Sequence, residues 1–88
     1  MWTIRYLRSV RKDVKKIDPH IREKIRGYLE QRVAGLDDPR QLGEPLKGRL
    51  AKLWRYRLGD YRIICELRNE ELIVFVIRIR HRKNVYKR

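Results

Sequence analysis

The 88-residue sequence predicts one α+β domain of order β-α-α-β-β-β, a small, twisted, mainly antiparallel sheet with a two-helix hairpin packed on one face. Three observations carry that prediction. Apolar and polar side chains alternate at the amino end and again between residues 53 and 67, the period of half-buried strands. Between those stretches apolar residues recur every three or four positions, as in helices that bury one face. A run rich in β-branched residues, Leu72 to Ile79, then supplies a further strand.

Taken in order, Trp2, Ile4 and Tyr6 alternate with Thr3 and Arg5, which sets the first strand at residues 2–6. Val10, Val14 and Ile17 mark a short helix from Arg8 to Ile17, with Ser9 placed as its cap. Asp18-Pro19 starts a second helix, because aspartate accepts from orphan amides while proline fixes φ at the first helical position. Ile21, Ile25, Tyr28, Leu29 and Val33 form its buried stripe up to Gly35, and Asp37-Asp38-Pro39 prevents continuation. Residues 35–51, with Gly35, Pro39, Gly43, Pro45 and Gly48, read as a surface loop holding a helical turn. Leu53–Leu58, a Gly59-Asp60 turn and Tyr61–Leu67 form a hairpin, and Asn69-Glu70 marks a second reversal. The β-prone stretch Leu72–Ile79, with its uninterrupted apolar run Leu72–Ile77, suits a central strand covered on both sides.

Composition narrows the function. The chain carries 24 Lys plus Arg against 11 Asp plus Glu, a formal charge of +13, spread from Arg5 to Arg88. A compact domain that keeps so much self-repulsion is expected to meet a polyanion or an acidic partner, and nucleic acid leads. Cys65 is the sole cysteine and sits in an apolar run, so no disulfide framework is expected and a buried, reduced thiol is. The amino end lacks a secretory apolar region, and Leu72–Ile77 falls far short of a membrane span; a cytoplasmic protein with no membrane partner is expected. Two histidines, one cysteine and no clustered carboxylates offer no metal constellation, and phosphate-binding glycine motifs are missing, so neither metal nor cofactor is expected.

In the hairpin Arg55 and Arg57 point away from Trp54, Tyr56 and Leu58, because successive strand side chains alternate. Arg62 follows the turn, and Arg78, Arg80 and Arg82 recur at spacing two. If the strands are neighbours these arginines converge. Like charges across strands destabilise a sheet unless an anion compensates them, and the guanidinium fork binds phosphate bidentately, so the face reads as a phosphate cradle for an RNA backbone. The carboxyl end adds a proton carrier in His81, further phosphate binding in Lys83 and an aromatic, Tyr86, able to stack on a base. His20, in the first turn of the second helix, is expected at a cap or on the surface. With Ser9 read as a cap and Cys65 as core, no protein nucleophile is supported. Catalysis would borrow the 2′-hydroxyl of RNA.

Three stretches, Pro45-Leu46-Lys47-Gly48, Leu53 to Glu66 and His81 to Tyr86, make the chain resemble the RelE toxins of the RelE/ParE superfamily over essentially its full length. The resemblance implies the toxin of a type II toxin–antitoxin system, an endoribonuclease (mRNA interferase). It would cut messenger RNA in the ribosomal A site, leave a 2′,3′-cyclic phosphate and a 5′-hydroxyl, and inhibit translation until a cognate RelB-like antitoxin neutralises it. It places phosphate binding and transition-state stabilisation on Arg55, Arg57, Arg62 and Arg82, a catalytic or stacking role on Tyr86, and auxiliary RNA contacts on Lys47 and Lys52. The family's usual lysines in this hairpin are replaced by Arg55 and Arg57, and arginine is a poor base. Proton abstraction is then left to Tyr86, to His81, or to the aligned ribosome and substrate. Two readings stand beside this one: a ParE-like inhibitor of DNA gyrase with the same fold, and a non-catalytic RNA-binding module. The concentration of Arg and Tyr at the catalytic positions favours the enzyme. In every case an acidic, partly disordered antitoxin segment is expected to fold over the basic surface.

Overall fold

The structure, a computed structural model, describes residues 1–48 and 52–83. Its single sheet has the strand order β1-β5-β4-β3-β2. Strand β1 (Thr3–Tyr6) runs parallel to β5 (Ile73–His81), while β5, β4 (Tyr61–Arg68), β3 (Leu53–Leu58) and β2 (Glu44–Pro45) pair antiparallel. Helices α1 (Arg8–Val14) and α2 (Pro19–Gly27) follow β1, and α2 runs on into a wider π-helical stretch, Tyr28–Val33. The predicted α+β class and order hold, with one addition. Strand β2 is only two residues long, too short to show alternation, and Pro45 suits it to an edge because proline has no N–H for a further neighbour.

The core lies between the helices and one sheet face. Val10, Ile17, Ile25, Leu29 and Val33 meet Trp2, Tyr56, Ile63, Cys65, Val74, Val76 and Ile79, all buried. Burial pushes the Cys65 thiol far up, so it stays protonated and inert among these side chains. Asp18 caps α2 as its sequence predicts, its carboxylate accepting from the His20 N–H at 2.8 Å, with His20 exposed. Ser9 does not cap α1. The cap position belongs to Leu7, without a side-chain bond, and Ser9 lies inside the first turn. The helix starts where the Leu7 N–H donates to the Val76 carbonyl (2.9 Å), so a sheet contact sets its position.

Strand β5 carries the feature that sets up the functional face. Ile64 pairs with Arg78 but Cys65 pairs with Val76, which leaves Ile77 as an extra residue in a β-bulge. Strict alternation from Val74 and Val76 would turn Arg78 and Arg80 toward the helices. The bulge reverses the parity, so Ile79 enters the core and Arg78 and Arg80 take the open face. The expectation that β5 is covered on both sides is corrected accordingly. Helices cover one face only; on the other, Phe75 lies beneath the Arg68 guanidinium, 4.7 Å from the ring centroid, and Arg78 is exposed.

The loop before β3 is fastened to the sheet. A 3₁₀ turn, Pro39–Leu42, is held by the Tyr56 hydroxyl, which donates to the buried Pro39 carbonyl at 2.8 Å. Gly43 follows against the aromatic wall, where a β-carbon would come within 3.1 Å of the Tyr56 ring and 3.3 Å of Trp54. Tyr56→Phe would strip the Pro39 carbonyl of its donor, a loss of about 1–2 kcal/mol and roughly 5–10 °C in Tm. Thermal unfolding followed by circular dichroism checks this; an unchanged Tm would mean the bond contributes nothing to the anchor.

Candidate nucleic-acid interface

The open face of the sheet assembles the basic site. Arg57 on β3 pairs with Arg62 on β4, and Arg62 pairs with Arg80 on β5, so three arginines stand in one row across three strands. The adjacent row reads Arg55, Ile64, Arg78. Ile64 is buried although it lies on the face away from the helices. The Leu58–Tyr61 turn that joins β3 to β4 has Gly59 at its first central position, with φ +57°, the conformation glycine takes at least cost.

Side by side, like charges repel, and the fold sets carboxylates against several of these arginines. Glu44, on β2, offers one carboxylate oxygen to the Arg57 Nε at 3.0 Å and the other to an Arg55 Nη at 3.3 Å. Arg80 turns round the edge of β5, which β1 leaves uncovered beyond Val76, and pairs with Asp13 on α1. Arg82, just past β5, donates its backbone N–H to the Asp60 carbonyl at 2.6 Å and brings its Nε to 3.6 Å from the Asp60 carboxylate. Arg62 differs. One Nη donates to the carbonyls of Gly59 and Tyr61, each at 3.0 Å, and no carboxylate among the described residues pairs with it. The centre of the row is therefore its least compensated positive charge.

Not every residue singled out from the sequence joins this group. His81 lies across from Tyr61, which packs on the core side, and meets its ring edge-on at 5.5 Å between centroids; its Nε2 is 4.0 Å from Asp60. It borders the site at the turn, on the face opposite Arg80. Lys52 immediately precedes β3, five residues from Arg57 or about 17 Å of extended strand, and Lys47 lies in the same loop, so both lie at the far end from the row. Lys83 is exposed, its N–H directed to His81 Nδ1 at 3.3 Å. Tyr86 lies outside the described residues. Glu44 was missed from the sequence, where one glutamate in a loop carries no periodic signal; only its pairing opposite Arg55 reveals it. Among the described residues no group of three His, Cys, Asp or Glu side chains could hold a metal ion, and no helix is long and apolar enough to cross a membrane.

A half-wrapped sheet with an arginine row on its open face defines a small cationic α+β protein. Comparison with known proteins gives the family. A family model described as the ParE toxin of the type II toxin–antitoxin system parDE matches residues 4–86, and the chain belongs to that family, within the RelE-like toxin superfamily. It is a type II toxin–antitoxin toxin of RelE/ParE kind. Toxin RelG of Mycobacterium tuberculosis is 30% identical over 88 residues, covering 99% of this chain and 98% of the relative. Among solved structures, the toxin–antitoxin complex RelBE2 of the same organism contains a chain matching at TM-score 0.84 and 26% identity, over 94% of this chain and 93% of that one. The RelB–RelE complex of Methanococcus jannaschii matches at TM-score 0.72 and 28% identity, over 94% and 95%.

Proposed function

We propose that this toxin is a ribosome-dependent endoribonuclease that cleaves messenger RNA in the A site and so stops translation. The observation that carries the reading is Arg62, a guanidinium with no carboxylate partner among the described residues, flanked in register by Arg57 and Arg80. A phosphodiester entering this row supplies the missing anion.

In this reading Arg57, Arg62 and Arg82 grip the scissile phosphate, and Arg62 neutralises the charge that builds on its oxygens as the 2′-oxygen attacks. Arg55, Arg78, Arg80 and Lys83 bind neighbouring phosphates, and Lys47 and Lys52 serve RNA further along the strand. The 2′-hydroxyl proton needs an acceptor that arginine cannot provide. Glu44 is the carboxylate already against Arg55 and Arg57, and a phosphate that draws those arginines away frees it to take the proton. The 2′-oxygen–phosphorus bond forms and the bond to the 5′-oxygen breaks. The departing oxygen takes a proton from His81, from Tyr86 or from water, giving a 2′,3′-cyclic phosphate and a 5′-hydroxyl. No metal enters the scheme. A RelB-like antitoxin is the partner in the cytoplasm, as RelB is of RelE in the Methanococcus complex.

The test is primer extension with end-group analysis on a defined messenger RNA, with and without programmed ribosomes. Ribosome-dependent cuts bearing cyclic-phosphate ends are expected. The ParE description of the matching family keeps gyrase inhibition as the second reading. Intact RNA in both arms, with supercoiling by purified gyrase blocked, would replace the first reading by that one.

A further inference from the structure

The arginine row occupies one end of the open face, and an aromatic side chain marks the other. On β5 the core takes Val74 and Val76, so Phe75 between them stands on the open face, half-buried. Its neighbours in register are Glu66 on β4 and Arg5 on β1. Arg5 shares that face, because Ile4 and Tyr6 on either side of it pack against the core. It is exposed and forms no ion pair among the described residues. Arg68 brings its guanidinium to 4.7 Å from the Phe75 ring centroid and is held by the Glu66 carboxylate at 2.7 Å. Four residues of β4, from Arg62 to Glu66, separate this group from the arginine row, about 13 Å. The row Arg55, Ile64, Arg78 lies between the two, so one basic face is continuous from Arg62 to Phe75. A large apolar ring gains little from burial on such a face, but its π-surface attracts cations and stacks on planar rings. Proteins hold single-stranded RNA through this chemistry, with bases on aromatic rings or guanidinium planes and phosphates on nearby cations.

We propose that Phe75 and Arg68 form a stacking site for an unpaired base of the messenger RNA, with Arg5 beside them to take that nucleotide's phosphate. The inference rests on the RNA-cleaving reading and adds a second point of contact on the strand. Arg68, exposed and tethered to Glu66, lifts to admit the base against the ring and stacks on its far side. The site lies two rows of the sheet from Arg62, so its nucleotide flanks the scissile pair rather than belonging to it. Its work is to hold the strand in register while the arginine row handles the phosphate that is cut. Every base has a π-face, so the site selects an unpaired base without choosing among the four.

The experiment titrates the protein onto ribosomes programmed with a messenger that carries 2′-deoxyribose at the scissile position, so that it is bound but not cut. Abasic nucleotides are placed one at a time on either side of the scissile bond. The unaltered protein is expected to lose affinity about tenfold at one flanking position, the usual worth of a stacked base. Phe75→Leu keeps the apolar bulk and should lose about as much on the intact messenger, yet nothing further on the messenger abasic at that position. Arg5→Gln should weaken binding more than Lys24→Gln, which removes the same charge from the exposed side of α2. If Phe75→Leu lowers the Tm, Arg68→Gln repeats the comparison from the exposed half of the site. Binding that is indifferent to every abasic position, or a loss in Phe75→Leu that is the same on all the messengers, would overturn the inference. Either result leaves the functional reading standing, provided that the unaltered protein cuts the all-ribose messenger. Failure of that cleavage would remove the functional reading and the stacking site with it.

Discussion

Arg62→Ala is expected to lower RNA cleavage by about 10²–10³-fold, the usual consequence of removing one preorganised donor from a developing oxyanion. The reason lies in how each arginine is compensated. Arg57 and Arg80 have internal carboxylates in Glu44 and Asp13, which phosphate must displace, whereas Arg62 gives up only hydrogen bonds to the Gly59 and Tyr61 carbonyls. Its attraction for an anion is thus the least discounted. The substitution costs the hairpin little, because the β3–β4 ladder runs unbroken from Leu53↔Glu66 to Leu58↔Tyr61 without that side chain. Arg62→Lys keeps the charge and loses the fork, and should fall between the two. Cleavage on programmed ribosomes, with Tm measured alongside, decides the matter. Undiminished cleavage by Arg62→Ala would place the transition state elsewhere.

The sequence made the class, the element order and the hairpin readable because periodicity survives wherever an element spans two or more repeats. It was blind at three kinds of place. A two-residue strand has no period, so β2 and with it Glu44 went unseen. A bulge cannot be told from a run such as Leu72 to Ile79 in which nearly every residue is apolar; the row through Arg80 therefore depends on one extra residue, Ile77, whose position only pairing discloses. Ser9 has the chemistry of a cap but not the position, because the Leu7–Val76 bond fixes where α1 begins. The shared face of Arg55 and Arg57 was legible from alternation alone, whereas that of Arg62 follows from its register opposite Arg57. The separation of His81 from that face was not, since it follows from the reversed parity of β5 and the Tyr61 contact.

Glu44→Gln isolates the proton acceptor from the grip on phosphate. Glutamine keeps the length and planar shape of the side chain but has no carboxylate to accept a proton, so cleavage should fall by about 10²–10⁴-fold, the range spanned by general acid–base catalysts. Binding should move the other way. Removing the internal anion leaves Arg55 and Arg57 without the carboxylate that now bridges them at 3.3 and 3.0 Å, so an uncleavable RNA carrying 2′-deoxyribose at the scissile position should bind at least as tightly. The opposed directions matter, because a merely structural role for Glu44 would weaken both. Folding should be little affected, since Glu44 is exposed at the sheet edge and exposed ion pairs contribute up to about 1 kcal/mol. Cleavage that survives in Glu44→Gln while RNA binding rises would reduce Glu44 to a counter-ion and return the proton to His81, Tyr86 or the ribosome.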